Sequence, residues 1–277
     1  MSAADAQLLP IFEHIPKTAG STMRAILRRV YGRQRVFVIT DDYRARIGEL
    51  SRRLRRADGE VRAVSSHAGY GFHESLPACN GRRYAHYTIL RESVERVLSH
   101  YFHAVQRQMV PPSTSLETFL HDDVRRGHNL QTAFLAGLEL RNHVDGLTLA
   151  KDLYDDELLA AAKASLDRMT AVGLTERFDE SLMLFRSIFG WQARHLLYDR
   201  RNVGLSRPRG FRPSPEDRAL VRRNNELDLE LYAHAQERFR DQSRDLGRGR
   251  VARVWLLRRI NAAWQNSRLH PRHSGLR

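Results

Sequence analysis

The sequence predicts an α/β fold, a central parallel β-sheet flanked by helices and followed by a mostly helical second half. Three observations predict it. Short β-prone apolar runs alternate with helix-spaced runs across residues 8–107, and such alternation implies a parallel sheet with helices on its faces. Beyond that stretch, apolar spacing is almost entirely helical. Finally, 277 residues with 42% apolar content suffice for a buried core.

The elements follow in order. Leu8 to Ile15 reads as a strand beginning near Pro10, because proline is tolerated at a strand's start. Residues 16–22 are small and turn-forming, and Met23, Ile26, Leu27 and Val30 then take helical spacing up to Tyr31. Arg35 to Ile39 is a second strand, Tyr43 to Arg56 a helix with arginines outward, and Val61 to Ser65 a third strand. Tyr84 to Leu90 is a fourth strand, and the helix of Ser93 to Arg107 places Val94, Val97, Leu98, Tyr101 and Val105 on one face. Helices are expected at 115–125, 129–139 and 155–168, a short strand at 171–174, and a helix at 178–189. A loop rich in glycine, proline and arginine covers 199–215, and one long helix runs from about 215 to 240. Ligands of parallel sheets sit beyond the carboxyl ends of the strands. The loops 16–22, 66–73 and 91–93 are therefore the candidate site.

Charge narrows the partners. Lys plus Arg number 46 against 32 Asp plus Glu, a net of +14. That favours phosphate, acidic glycan, nucleic acid or a membrane surface. The excess is uneven: residues 239–277 hold ten arginines against two aspartates. The chain thus divides into a body, 1–240, and a basic tail, 241–277. Within the tail, 251–269 reads as an amphipathic helix, docked on the body or contacting a membrane surface or a partner. No nucleic-acid fold motif is present, so nucleic acid is not the expected partner. Cys79 is the lone cysteine, which excludes an intrachain disulfide. No run approaches the ~20 apolar residues of a membrane span, and the first residues lack the pattern of a secretory signal. A cytoplasmic location is expected. Oligomeric state is open.

Three elements carry chemistry. Pro16-Lys17-Thr18-Ala19-Gly20-Ser21-Thr22 joins a strand to a helix. Unpaired N–H groups at a helix start, with the helix dipole, make an anion site. Gly20 permits a tight turn, Thr18, Ser21 and Thr22 add hydroxyls, and Lys17 adds a mobile cation. Lys17 is one of three lysines, with Lys151 and Lys163, among 46 cations. The pattern is not G-x-x-x-x-G-K-[ST]. Arg91, at a strand's end, can fork onto a second phosphate, and Ser99 lies two turns into the next helix. Arg96 is expected to pair with an acid on its own helix. His67 ends a strand and can take a hydroxyl proton, with His14 and His73 as alternatives. No cluster has metal-ligand spacing. The residues alone also admit a nucleotide-dependent phosphotransferase, or a non-catalytic binder of acidic glycan or nucleic acid.

The run HIPKTAGST (His14 to Thr22) resembles the 5′-phosphosulfate loop of PAPS-dependent sulfotransferases, closest to the branch of heparan sulfate 2-O-sulfotransferase and its bacterial relatives. LRESVERVLSHYFH (Leu90 to His103) resembles that branch's 3′-phosphate motif, and SSHAGYGFHE (Ser65 to Glu74) the segment with its catalytic histidine. HNLQTAFLAG (from His128), VGLTERFDESL (from Val172) and NNELDLELYAHA (from Asn224) are similar too. The resemblance implies a P-loop-like sheet and metal-free sulfuryl transfer from PAPS to a hydroxyl, with a carbohydrate as the leading acceptor. It implies that Lys17, Thr18, Ala19, Gly20, Ser21 and Thr22 hold the 5′-phosphate, and that Lys17 stabilises the leaving oxygen. Arg91 and Ser99 would hold the 3′-phosphate, and His67 would act as base. The family has Asp-Pro where this chain has Glu92-Ser93, and Ser93 is expected to cap the helix. The loop 202–209 is expected to close over the nucleotide.

Overall fold

The computed structural model describes residues 8–40, 42–56, 60–79, 81–122, 127–137, 155–198, 210–244, 246–247 and 249–266. The expected loop 202–209 lies outside the described residues. Five strands form one sheet: β1 (Leu8–Glu13), β2 (Val36–Ile39), β3 (Ala63–Ser66), β4 (Arg83–Leu90) and β5 (Ala171–Leu174). The order is β2-β3-β1-β4-β5, and every neighbouring pair is parallel. β1 is central, with β3 on one side and β4 on the other. The crevice beyond the ends of β1, β3 and β4 is thus the switch point where ligands of such sheets bind.

Pro10 sits inside the central strand, not at its start. The amide of His14 donates to the carbonyl of Ser66 on β3. By the two-residue alternation of a strand, the Pro10 nitrogen faces the same side. The β1–β3 ladder begins only at Ile11, opposite Val64. The missing N–H therefore falls where no ladder bond is needed.

The helices are α1 (Gly20–Tyr31), α2 (Tyr43–Arg55), α3 (Ser93–Gln106), α4 (Leu116–Asp122), α5 (Leu130–Leu135), α6 (Asp155–Arg168), α7 (Phe178–Phe189), α8 (Pro215–Arg223), α9 (Glu226–Arg244) and α10 (Arg250–Asn266). Strand alternation splits the core between two faces. Leu9 and Ile11 pack with Phe37, Leu50, Leu54 and Val64 on the α2 face. Phe12, Tyr87 and Ile89 pack with Met23, Phe185, Leu231 and Phe239 on the other. Val254 and Leu257 of α10 belong to that second cluster.

The expected long helix from 215 is two helices. Asn225 is fully buried. Its side-chain amide donates to the carbonyls of Val221 and Gly127, and its Oδ1 accepts from the amide of Asn129. Those bonds tie the break between α8 and α9 to the start of α5. A capping box of Ser214 and Asp217 starts α8.

Candidate active site

The loop after β1 is shaped by backbone strain. Lys17 (φ 72°) and Ala19 (φ 66°) are both left-handed, a conformation that costs an L-residue roughly 1–2 kcal/mol. Alternation of this kind turns successive N–H groups toward one point and forms an anion-binding nest. Ala19 is the N-cap of α1, and no side chain caps the helix. The amide of Thr22 donates to the Ala19 carbonyl (3.0 Å), so those of Gly20 and Ser21, with the positive end of the helix dipole, are left for a ligand. The Thr18 hydroxyl donates to the carbonyl of Ile15 (2.9 Å) and closes the loop. Thr18 is fully buried, so its side chain serves the loop's shape.

Gly20 has a different role from the turn that its sequence context suggests. The left-handed residues are Lys17 and Ala19. A Cβ on Gly20 would lie 1.7 Å from Cδ2 and Nε2 of His14. Glycine is required because an imidazole occupies the space of its side chain.

Lys17 is half-buried, and its ammonium pKa is pushed down to about 8, first by burial and then by Arg91 and Arg107. Burial, Lys17 and Arg107 also lower His103. Ser99 and His103 share one face of α3 by four-residue spacing, and Arg107, next in that series, is the helix's C-cap. Arg107 and His103 were not legible as site residues, because arginine is common throughout the chain. Cations gathered against their own repulsion beside an uncapped helix start fit a multiply anionic ligand. Among the described residues no group of three or more His, Cys, Asp or Glu could hold a metal.

Arg91 follows β4 directly. Its Nη1 donates to the Lys17 carbonyl (3.2 Å), and its Nη2 lies 3.7 Å from Glu95. The backbone around it is clamped from three directions. Gln131 accepts from the Arg91 amide and donates to its carbonyl, both at 2.9 Å. The Thr175 hydroxyl donates to the Leu90 carbonyl (3.0 Å), and Glu176 accepts from the Glu92 amide (3.1 Å). Asp228 holds the clamp in place, accepting from the amides of Gln131 and Thr132 and from the Thr132 hydroxyl. Gln131, Glu176 and Asp228 come from the three secondary segments of the resemblance. The segments were visible, but their purpose was not.

Two local expectations change. Arg96 and Asp228 are both fully buried, with Arg96 Nε 3.8 Å from Asp228 Oδ2. An acid partner of Arg96 is thus on α9, beyond the helix where one is expected. The cap of α3 is Glu92, whose carboxylate accepts from the Glu95 amide (2.9 Å). Ser93 is the first helical residue, the place where proline also fits.

His67 follows β3, its amide bonded to the Ile39 carbonyl. Its ring lies against that of His14, with centroids 3.9 Å apart. Burial, then His67 and Arg24, hold the His14 pKa well below the ordinary value. A buried neutral imidazole thus backs a partly exposed one. His73 belongs to a second cluster: its ring is 4.0 Å from that of His86, whose Nδ1 is 2.8 Å from the fully buried Glu13 carboxyl. Of the two alternatives to His67, only His14 touches it.

The galactose-3-O-sulfotransferase family matches residues 10–270. Heparan-sulfate 6-O-sulfotransferase 2 of Danio rerio is 28% identical over 184 residues, covering 57% of this chain and 38% of that protein. The chain therefore spans well under half the length of this curated relative. The two matches name 3-O and 6-O transfer, where the motifs resemble the 2-O branch.

Proposed function

The chain belongs to the galactose-3-O-sulfotransferase family, and on that premise we propose that it transfers a sulfuryl group from PAPS to a hydroxyl of a carbohydrate acceptor. One observation carries the reading. Lys17 and Arg91 meet at the uncapped start of α1, with Arg91 Nη1 3.2 Å from the Lys17 carbonyl. Half-burial and neighbouring cations there leave an excess of positive charge that suits phosphate groups.

The chemistry supplied by PAPS in such a site is an activated sulfuryl group on a phosphate that leaves. The nest of residues 17–21 and the amides opening α1 bind that phosphate. Lys17 neutralises the charge developing on the leaving oxygen. Arg91 holds the 3′-phosphate with Ser99, and the clamp of Gln131, Thr175 and Glu176 fixes the main chain from which its guanidinium projects. His67 takes the proton of the acceptor hydroxyl as its oxygen becomes a nucleophile. The neutral His14 ring behind it supports the orientation of His67. As in phosphoryl transfer, the work is positioning and charge neutralisation.

Calorimetric titration with PAP, the product nucleotide, and with AMP tests the reading. Tighter binding of PAP, lost in Arg91→Ala, supports it. Equal affinity for the two nucleotides overturns it. Transfer from PAPS is then assayed on galactose-containing and heparan-type oligosaccharides, where Lys17→Ala and His67→Ala are expected to abolish turnover.

A further inference from the structure

Helix α10 carries most of the exposed large apolar side chains among the described residues. Val251 is 74% exposed, Trp255 55%, Leu256 52% and Ile260 45%, and Met109 is the one elsewhere. At 100° per residue these four, with Ala252 and Ala263, cover about half of the helix circumference. Val254, Leu257 and Asn261 cover the other side and are buried. The helix is thus apolar toward the body and apolar toward the outside. Arg259 is the one charged residue within the outer arc, and its guanidinium lies 4.7 Å from the centre of the Trp255 ring. Arg253 and Arg258 border the arc, both exposed. From Leu246 to Arg277 the chain has eight arginines and no Asp or Glu.

We propose that this outer face of α10 seats the protein on an anionic lipid surface. The occupant follows from charge. A second copy would bring Arg253 and Arg259 of both faces together, with no acid on either helix to offset their repulsion, while Arg258 is already paired with Asp179. An interfacial helix combines these features: an apolar face, a tryptophan at headgroup depth, and cations that meet anionic headgroups. Among the described residues no helix is long and apolar enough to cross a membrane, so the contact is with the surface. The helix is tied to the carboxyl edge of the sheet. Arg258 pairs with Asp179 (3.2 Å) in the first turn of α7, the helix that follows β5, and Asn261 accepts from the Tyr198 amide.

The test uses the full chain and vesicles of phosphatidylcholine with or without phosphatidylglycerol. Co-sedimentation with the anionic vesicles is expected, weaker at high salt. The triple variant Trp255→Ser/Leu256→Ser/Ile260→Ser is expected to lose about tenfold or more in partitioning. All three positions are exposed, and retained PAP binding and circular dichroism check that the variant is folded. Acyl chains brominated near the headgroup should quench tryptophan fluorescence, and Trp255→Phe should remove that quenching. With vesicles, the proposal is overturned by no binding of the wild-type chain, by full binding of the triple variant, or by binding without quenching, which is adsorption by charge alone. A dimer in light scattering that the triple variant dissociates also overturns it, in favour of a second copy.

Discussion

Gly20→Ala is the sharpest single perturbation of this site. The added Cβ would stand 1.7 Å from two atoms of the His14 ring. Ordinary contact begins at 3.4 Å, so the ring or helix α1 must give by about 1.7 Å. The ring is nearly buried. The Phe12 ring is stacked 5.5 Å from its centroid, and His67 lies 3.9 Å away on the active-site side. Overpacking a tight site costs about 1–3 kcal/mol. Relief toward His67 displaces the proposed base, and a misplacement of ~1 Å costs on the order of 100-fold in rate. Urea unfolding is expected to show a loss of about 2 kcal/mol, and turnover with PAPS to fall on the order of 100-fold. Gly48→Ala is the control. It lies within α2, where a Cβ would meet only the end of Arg52 at 3.8 Å, so stability should rise by about 0.5–1 kcal/mol. If Gly20→Ala keeps wild-type stability and turnover, the packing of His14 behind His67 has no part in the site.

Other expectations follow from the same geometry. Arg96→Ala leaves a buried Asp228 carboxylate short of its cation and should cost about 3–5 kcal/mol in urea unfolding; a loss below 1 kcal/mol would mean that the pair is not formed. Gln131→Leu strips both bonds from the Arg91 main chain, and calorimetry should show PAP affinity falling about tenfold while AMP affinity falls less, an order of magnitude set by one to two lost hydrogen bonds. Because Lys17 titrates at about 8 in the free protein and only its cation attracts phosphate, PAP affinity should decline as pH rises through that value. Lys17→Met should flatten the decline, and an unchanged profile would remove Lys17 from the site. Burial holds His73 and His86 neutral down to about pH 4. Their contribution to stability is present above the unfolded value near 6.5 and is lost as pH falls toward 4, because the unfolded chain then binds the extra protons. The urea midpoint should drop across that window, less steeply in His73→Gln; an equal slope in that variant would show that His73 is not held neutral.

Much of this site is legible in local sequence. The loop at 16–22, the cation after β4 and the histidine after β3 each sit at a strand's carboxyl end, and strand ends follow from short-range periodicity. Helix lengths are less legible. One periodic run from Pro215 reads as a single helix, yet the buried Asn225 breaks it by bonding to Gly127 and Asn129, nearly a hundred residues away in sequence. Caps go the same way: Ser93 is the better capping residue by type, but Glu92 is at the cap position and Ser93 is already helical.

By itself the sequence determined the α/β alternation and put Lys17, Arg91 and His67 in the loops that follow strands. These depend on neighbours a few residues apart, and hydrophobic period and helix-start chemistry act over that range. Tertiary structure alone decided that glycine at 20 makes room for His14, that His14 rather than His73 backs His67, and that Gln131, Thr175 and Glu176 converge on Leu90, Arg91 and Glu92, with Asp228 holding Gln131. It also decided that α10 keeps an apolar face outward. Most of these are contacts between segments far apart in the chain, fixed by which elements the parallel sheet brings side by side, and no local pattern records them.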